Sequence, residues 1–293
     1  MSTFKRATKE QAKLRMFLAG PSGSGKTWTA LSIAAAIGGR VAVIDTEHHS
    51  ASKYADKFEF DALNLDVPTI PGYEKSIRAA AAEGYDVLVI DSLTHAWMAA
   101  QQMLDDTAAR MKTPNSYMAW GTVTPLWNGL LRTIITSNLH VIGTSRSKTD
   151  YILETDNKGR QVPKKVGMAP VMRDGAEYEF DIAAEMDLEH RLIIGKTRCA
   201  ELDGQVYTKP TGQEIGDILK RWLNDGTPKP PEQPKPPSGP PMSDEQIEFN
   251  AWAKPLVESK SITGDRVRAI LGDVRGDYAK AKPLIESELQ PAS

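Results

Sequence analysis

Residues 14–37 read LRMFLAGPSGSGKTWTALSIAAAI: an apolar segment, a glycine-rich turn and a second apolar segment with helical spacing. Residues 20–27 match the pattern G-x-x-x-x-G-K-[ST], and a strand, a turn and a helix are the context that this pattern requires. Backbone N–H groups of such a turn, together with the helix dipole, form an anion site. We therefore expect this turn to bind the phosphates of a nucleoside triphosphate.

Each polar residue of this loop has an expected role. Lys26 is expected to reach the β- and γ-phosphates, and the Thr27 hydroxyl to bind Mg²⁺. ATP and Mg²⁺ are the expected cofactors. The predicted nucleotide contacts in this stretch are Gly20, Pro21, Ser22, Gly23, Ser24, Gly25, Lys26, Thr27 and Trp28.

Two further apolar strands end in acids. Residues 85–92 read YDVLVIDS, and Asp91 at the strand tip is predicted to hold the Mg²⁺ shell. Residues 41–47 read VAVIDTE, and Glu47 is placed to orient the water that attacks the γ-phosphate. A surface acid is the alternative for Glu47. The nearby His48, His49 and His95 have no cysteine or histidine spacing typical of zinc sites.

The strand at residues 140–144 leads into a basic segment. Thr144 or Ser145 is expected to sense the γ-phosphate by hydrogen bonding. Residues 146–173 carry seven lysines and arginines against three acids, which favours contact with a nucleic-acid backbone over a solvated hairpin. The predicted DNA contacts are Arg146, Lys148, Lys158, Arg160, Lys164, Lys165 and Arg173.

Lys196 and Arg198 lie one residue apart at a strand end, so their side chains point the same way. They could complete the ATP site of a neighbouring subunit, as arginine fingers do. A surface pair of cations is the alternative.

The alternation of strands and helices predicts a mainly parallel α/β sheet flanked by helices. Expected strands are 14–19, 41–45, 67–70, 86–91 and 140–144, followed by an antiparallel extension at 181–187 and 191–195. Expected helices are 27–37, 73–82, 96–110, 116–137 and 212–223.

Residues 227–241 contain eight prolines in fifteen positions, a composition typical of an extended linker. It predicts an ATPase domain at 1–226 and a small helical domain at 242–293. The small domain has seven basic against nine acidic residues, which favours docking to a protein partner over nucleic-acid binding.

The composition is that of an ordinary globular protein, with 40% hydrophobic and 25% charged residues. The single cysteine excludes an internal disulfide, and neither a signal peptide nor a membrane-spanning run is recognisable. We expect a cytoplasmic location. Because the net charge is −2, nucleic-acid contact would need a local basic patch.

The order of these motifs resembles the RecA-like ATPases: GPSGSGKT, VAVIDTEH, VLVIDS, a strand entering a basic loop, and a K-x-R pair. The phrases IDTEHHSASKYAD, DSLTHAW, YMAWGTVTP, RSKTDYILE and PKKVGMAPVMRDGAEYEFD are similar to those of bacteriophage AAA-type or RecA-like ATP-binding proteins, some of them linked to single-strand annealing.

The resemblance implies that Glu47 is the catalytic glutamate and Asp91 the Walker B aspartate. It also implies that 146–173 is a DNA-binding loop and that Lys196 and Arg198 act across a subunit interface. Thr144 stands near the usual polar sensor, where RecA has Asn-Gln. Filament formation does not follow, because no long N-terminal oligomerisation segment of the RecA type is present.

Three functions are compatible with these features. The first is a recombination or annealing ATPase that binds single-stranded DNA as a homo-oligomer. The second is a helicase loader or packaging-type motor. The third is a nucleotide-dependent switch whose tail holds a protein partner, such as a single-strand-binding protein.

Overall fold

The computed structural model describes residues 6, 8–9, 11–111, 115–155, 161–227, 244–258, 262–274 and 276–289. The chain divides into two compact units, residues 1–229 and 230–293. Thr227, at the start of the proline-rich stretch, donates its N–H to the Lys9 carbonyl and accepts from the Gln11 N–H, so the first unit extends through this residue.

The first unit is built on a sheet of nine strands within the described residues. The strands are β1 (Arg15–Gly20), β2 (Val41–Asp45), β3 (Asp61–Asn64), β4 (Val87–Asp91), β5 (His140–Thr155), β6 (Gln161–Pro170), β7 (Ile182–Met186), β8 (Arg191–Thr197) and β9 (Val206–Thr208). Their order is β3-β2-β4-β5-β1-β7-β8-β9, and β6 pairs with β5. The path from β3 to β7 is parallel, whereas β6, β8 and β9 pair antiparallel with their neighbours.

Helices cover both faces of this sheet, because alternate residues of each buried strand point to opposite sides. The helices are α1 (Lys26–Ile37), α2 (Ile70–Ala82), α3 (Leu93–Ala109), α4 (Ser116–Thr136) and α5 (Gly212–Asn224). Met16 and Leu18 of β1 face the core under α1 and α5, while Phe17 faces the core under α2, α3 and α4.

The mainly parallel sheet with an antiparallel extension confirms the predicted architecture. One predicted strand is wrong: residues 67–69 are not a strand, and Ile70 begins α2. Thr69 caps this helix by accepting a hydrogen bond from the Gly72 N–H, and Pro71 lies in its first turn, where the missing N–H costs nothing. The strand next to β2 is instead β3, whose residues are exposed and lack an apolar run.

The second unit contains three helices among its described residues: α6 (Asp244–Glu258), α7 (Gly264–Asp273) and α8 (Tyr278–Leu289). Phe249, Ile270 and Ile285 are buried in a core of their own. Thr263 caps α7 by accepting a hydrogen bond from the Arg266 N–H. The C-terminal helices predicted from the sequence are confirmed.

None of the helices that the structure describes combines the length and the apolar character needed to cross a bilayer.

The contact of α1 with α5 depends on a glycine. A Cβ at Gly216 would lie 2.5 Å from the Cβ of Ala36. Gly121, in α4, has no heavy atom within 4 Å of the same position. We expect Gly216→Ala to lower the free energy of unfolding by about 1–3 kcal/mol through overpacking. Gly121→Ala should raise it by about 1 kcal/mol through helix propensity.

Urea unfolding of both variants, followed by tryptophan fluorescence, measures this difference. Equal changes in the free energy of unfolding would contradict this role of Gly216, because they would show that α1 and α5 can move apart without cost.

Candidate nucleotide site

The phosphate loop occupies residues 20–25, between β1 and α1. Gly23 and Gly25 have φ of 81° and 90°, a conformation that side chains other than glycine rarely adopt. Gly20 is needed for another reason, because a Cβ there would lie 2.5 Å from the carbonyl oxygen of Met186. The glycines therefore let the turn close tightly over the end of the sheet.

The polar groups of this loop are arranged for an anion. The Lys26 ammonium donates to the Pro21 carbonyl at 2.9 Å. Burial lowers the pKa of Lys26, while the charges of Asp91 and Glu47 oppose that shift. Ser24 Oγ is buried and lacks a hydrogen-bond partner among the described residues.

Asp91 lies at the tip of β4 beneath the first turn of α1. Its carboxylate accepts hydrogen bonds from Thr27 Oγ1 at 2.6 Å and Thr144 Oγ1 at 2.5 Å. Burial raises the pKa of Asp91, and these two hydrogen bonds partly counteract the rise. A hydroxyl and a carboxylate oxygen this close are hard oxygen donors of the kind that Mg²⁺ prefers, so the pair fits the expected metal.

Glu47 follows the tip of β2 and is held on two sides. Arg146 donates to both carboxylate oxygens, with Nε 3.0 Å from Oε1. Ser92 Oγ donates to Oε1 at 2.9 Å. Burial raises the pKa of Glu47, but hydrogen bonds from Arg146 and Ser92 outweigh it, so the pKa lies below its ordinary value. Glu47 is therefore an ionised carboxylate next to the phosphate loop.

Asp45 shapes the turn that presents Glu47. Its carboxylate accepts hydrogen bonds from the Glu47 N–H at 2.7 Å and the Ala51 N–H at 2.8 Å. His95 lies nearby, with Nδ1 2.8 Å from Thr46 Oγ1. The described residues contain no cluster of three or more histidines, cysteines and acids that could hold a metal ion.

A cavity of about 580 Å³ connects these groups. Of the predicted contacts it is lined by Ser22, Gly23, Gly25, Lys26, Thr27, Trp28, Glu47, Asp91 and Arg146. Other residues that line it were not predicted as contacts: Tyr54, Met186, His190, Lys209 and Pro210. They come from distant parts of the sequence, so only the order of the strands brings them to the loop.

Trp28 is 41% exposed. Its ring packs edge-on against Tyr54 and Phe58, with centroids 5.5 and 4.9 Å away. The three rings form an aromatic wall beside the first turn of α1. Of the three, Trp28 and Tyr54 line the cavity.

Thr144, which the sequence suggested as a γ-phosphate sensor, does not line this cavity. It is 0% exposed and its hydroxyl is bonded to Asp91. Thr144 therefore lies behind the Asp91 carboxylate, which it orients. The polar group of β5 that reaches the cavity is Arg146, two residues further on.

Lys196 and Arg198 lie at the other end of the sheet. The strand β8 runs antiparallel, so Thr197 pairs with Ile182, which in turn pairs with Met16 near the start of β1. The Lys196 ammonium donates to the carbonyls of Tyr178 and Phe180. Arg198 Nη1 lies 3.4 Å from Asp181 Oδ1. This pair therefore cannot reach the chain's own phosphate loop.

The predicted DNA contacts are dispersed over the β5–β6 hairpin and its ends. Arg146 is bonded to Glu47, Lys148 is exposed on β5, and Arg173 follows β6. Lys164 and Lys165 lie on β6, but their side chains are outside the described residues, as are Lys158 and Arg160 entirely. Within the described residues, 147–155 and 161–170 pair as a long antiparallel ribbon that starts next to the nucleotide cavity.

A protein-family model described as an AAA domain matches residues 12–215. No curated protein matches the chain. Among solved structures, the crystal structure of the RadB recombinase is similar with 15% sequence identity and a TM-score of 0.37. That similarity covers 67% of this chain and 86% of the other.

The hydrogen bond from Thr144 to Asp91 leads to a pH-dependent prediction. Removing the hydroxyl in Thr144→Val should raise the pKa of Asp91 further, because a bond to the charged form is lost. We expect binding of Mg²⁺ with ATP to weaken about tenfold at pH 6, the size of one charge-assisted hydrogen bond. The loss should be smaller at pH 8.5 than at pH 6, because a higher pH favours the ionised carboxyl.

Isothermal titration of the wild type, Thr144→Val and Thr144→Ser at both pH values measures this effect. Thr144→Ser keeps the hydroxyl and should bind as the wild type does. Equal losses in Thr144→Val at the two pH values would contradict the role given to Thr144.

Proposed function

This chain belongs to the AAA domain family, and we propose that it hydrolyses ATP with Mg²⁺ in order to act on single-stranded DNA. The proposal rests on one observation: Lys26, Asp91 and Glu47 line the same cavity. They come from the helix after β1 and from the tips of β4 and β2, and they supply a cation, a metal-binding carboxylate and an ionised base.

Different residues of the chain bind the phosphates of the triphosphate and the metal ion. The Lys26 ammonium leaves the Pro21 carbonyl to bind the terminal phosphates, and loop N–H groups hold the bridging oxygens. Thr27 and Asp91 are the residues that would hold Mg²⁺. When bound, the ion would neutralise charge on the phosphate oxygens.

Glu47 orients the attacking water and takes up its proton. A carboxylate paired with a guanidinium has few lone pairs left for water, so Arg146 restrains Glu47 in the arrangement seen here. A terminal phosphate offers Arg146 a competing anion in the same cavity. Transfer of Arg146 from the carboxylate to the phosphate would release Glu47 only when a triphosphate is present.

The DNA part of the proposal is supported by the ribbon that continues from Arg146. Its basic residues suit the phosphate backbone, and its first residue is bonded to Glu47, which connects DNA contact to the reacting centre. A role in phage recombination, annealing or replication is the specific form of this proposal, supported by the phrases that resemble phage ATP-binding proteins. Action as a homo-oligomer, with Lys196 and Arg198 facing a neighbour's site, belongs to the same proposal.

A nucleotide-dependent switch is the second candidate. It is favoured by the compact helical unit that follows the proline-rich stretch, with its own core and an excess of acids. In that function the helical unit would hold a protein partner, and turnover would not respond to DNA. A helicase loader or motor would use the same nucleotide site.

Two substitutions test the ATPase. Lys26→Ala should abolish nucleotide binding or turnover, because the cation that meets the terminal phosphates is lost. Glu47→Gln should keep ATP affinity within about threefold and lower turnover at least about a hundredfold, the usual size of a lost general base. Affinity is measured with a fluorescent ATP analogue and turnover by phosphate release.

Wild-type turnover in Glu47→Gln would show that Glu47 does not act as the general base. The matched control is Glu59→Gln, an exposed glutamate after the same strand, which should leave both quantities unchanged.

The Arg146–Glu47 pair leads to a separate prediction. Because hydrogen bonding to Arg146 lowers the pKa of Glu47, its loss in Arg146→Gln should raise that pKa. The acid limb of the pH profile of kcat/KM, which reports ionisations of the free enzyme, should then move to higher pH. Arg146→Lys keeps a positive charge and should shift the limb less. An unchanged acid limb in Arg146→Gln would show that the pair does not form in the free enzyme.

A further inference from the structure

A second, smaller cavity lies between α3, α4 and the end of the β5–β6 hairpin. It has a volume of about 410 Å³ and is lined by Trp97, Tyr117, Trp120, Thr124, Arg173 and Asp174. We call these six residues the aromatic slot. It shares no lining residue with the nucleotide cavity. Trp97 and Trp120 are half-buried against the core, whereas Tyr117 projects from it.

The rings of the slot are set for stacking. Trp97 and Trp120 are nearly parallel, at 18° with centroids 5.8 Å apart. Trp97 is anchored from beneath, edge-on against the buried Trp127 at 5.2 Å. Tyr117 is 86% exposed at the start of α4. A rigid pair of indoles beside an exposed phenol provides flat apolar faces at the surface.

The charge of the slot indicates what it binds. The Arg173 guanidinium lies 5.5 Å from the centre of the Trp120 ring, so a cation and an aromatic face are presented together. Val171, two residues earlier, donates its N–H to the Arg146 carbonyl at 2.7 Å. The slot therefore continues directly from the base of the basic ribbon. Asp174 is the one acid that lines it, and its carboxylate can accept from a base's amino group.

We propose that the aromatic slot binds bases of single-stranded DNA by stacking on Tyr117 and Trp120, with Arg173 beside them. Unpaired bases expose the π-faces that such rings recognise, and positive charge along the path holds the backbone. A duplex hides these faces, so it should not enter the slot. This proposal rests on the proposed action on single-stranded DNA. It joins Arg173, already among the predicted DNA contacts, to the aromatic rings of α3 and α4.

Two variants of the full-length chain test the slot. Tyr117→Ala and Arg173→Gln should each weaken binding of a fluorescein-labelled dT oligonucleotide about tenfold, the usual effect of one lost stacking contact. Binding is measured by fluorescence anisotropy in the presence of Mg²⁺ and ATP, at fixed salt. ATP turnover without DNA should stay at the wild-type rate, since neither residue lines the nucleotide cavity.

A matched pair of controls exists at the amino-terminal end of β4. There the Arg40 guanidinium lies 4.2 Å from the centre of the Tyr85 ring, which reproduces the chemistry of the slot at another place. Tyr85→Ala and Arg40→Gln should leave affinity for the oligonucleotide unchanged. Equal losses in all four variants would overturn the slot, because they would show a general effect of charge or stability.

Photocrosslinking distinguishes direct contact with DNA from a purely structural role, because only a residue next to a base forms a crosslink. An oligonucleotide carrying 5-iodouracil should crosslink to Tyr117 or Trp120, mapped by mass spectrometry, and an excess of duplex should not compete. Crosslinks confined to the ribbon would overturn the slot.

The two proposals fail in different ways. Wild-type affinity in Tyr117→Ala and Arg173→Gln rejects the slot and leaves action on DNA standing. A wild-type chain that does not bind the oligonucleotide rejects both. A fall in mass of Tyr117→Ala by light scattering, with DNA binding intact, would assign the slot to a second copy of the chain and overturn the proposal.

Discussion

The hydrogen bond from Thr27 to Asp91 joins the start of α1 to the tip of β4, although the strands concerned are not neighbours. β5 lies between β1 and β4, so the bond must cross above it. Thr144 of β5 lies at the crossing, and its hydroxyl also binds Asp91. The arrangement of the nucleotide cavity follows from this constraint.

The surroundings of Asp91 and Glu47, at neighbouring strand tips, set the pKa of each acid. Asp91 is buried beneath α1 and its pKa is raised, whereas Glu47 is partly accessible and is kept ionised by Arg146 and Ser92. The two neighbouring acids therefore differ in ionisation and in access to solvent, because their surroundings push their pKa values apart.

Arg146 stands where three parts of the molecule meet. Its side chain binds Glu47, its N–H donates to Thr94 Oγ1, and its carbonyl accepts from Val171 at the end of the ribbon. A residue held in this way can pass a change at the ribbon to the carboxylate at the cavity without any rearrangement of the core. The aromatic slot begins on the other side of the same junction, so both surfaces proposed for DNA meet close to the nucleotide.

The sequence by itself determined the phosphate loop, the acids at two strand tips, the mainly parallel sheet and most helices. These features have local causes: glycine spacing, apolar runs and helical periodicity act within a few residues. The prediction from sequence was wrong at residues 67–70, where it placed a strand although Thr69 caps α2 and Ile70 begins it. It also missed the exposed strand β3. Only the tertiary structure decided that Arg146 binds Glu47, that Thr144 lies behind Asp91, and that Lys196 lies at the far end of the sheet. Each of these depends on strand order and direction, which bring together residues that are up to 99 positions apart in the chain, and no local pattern records that order.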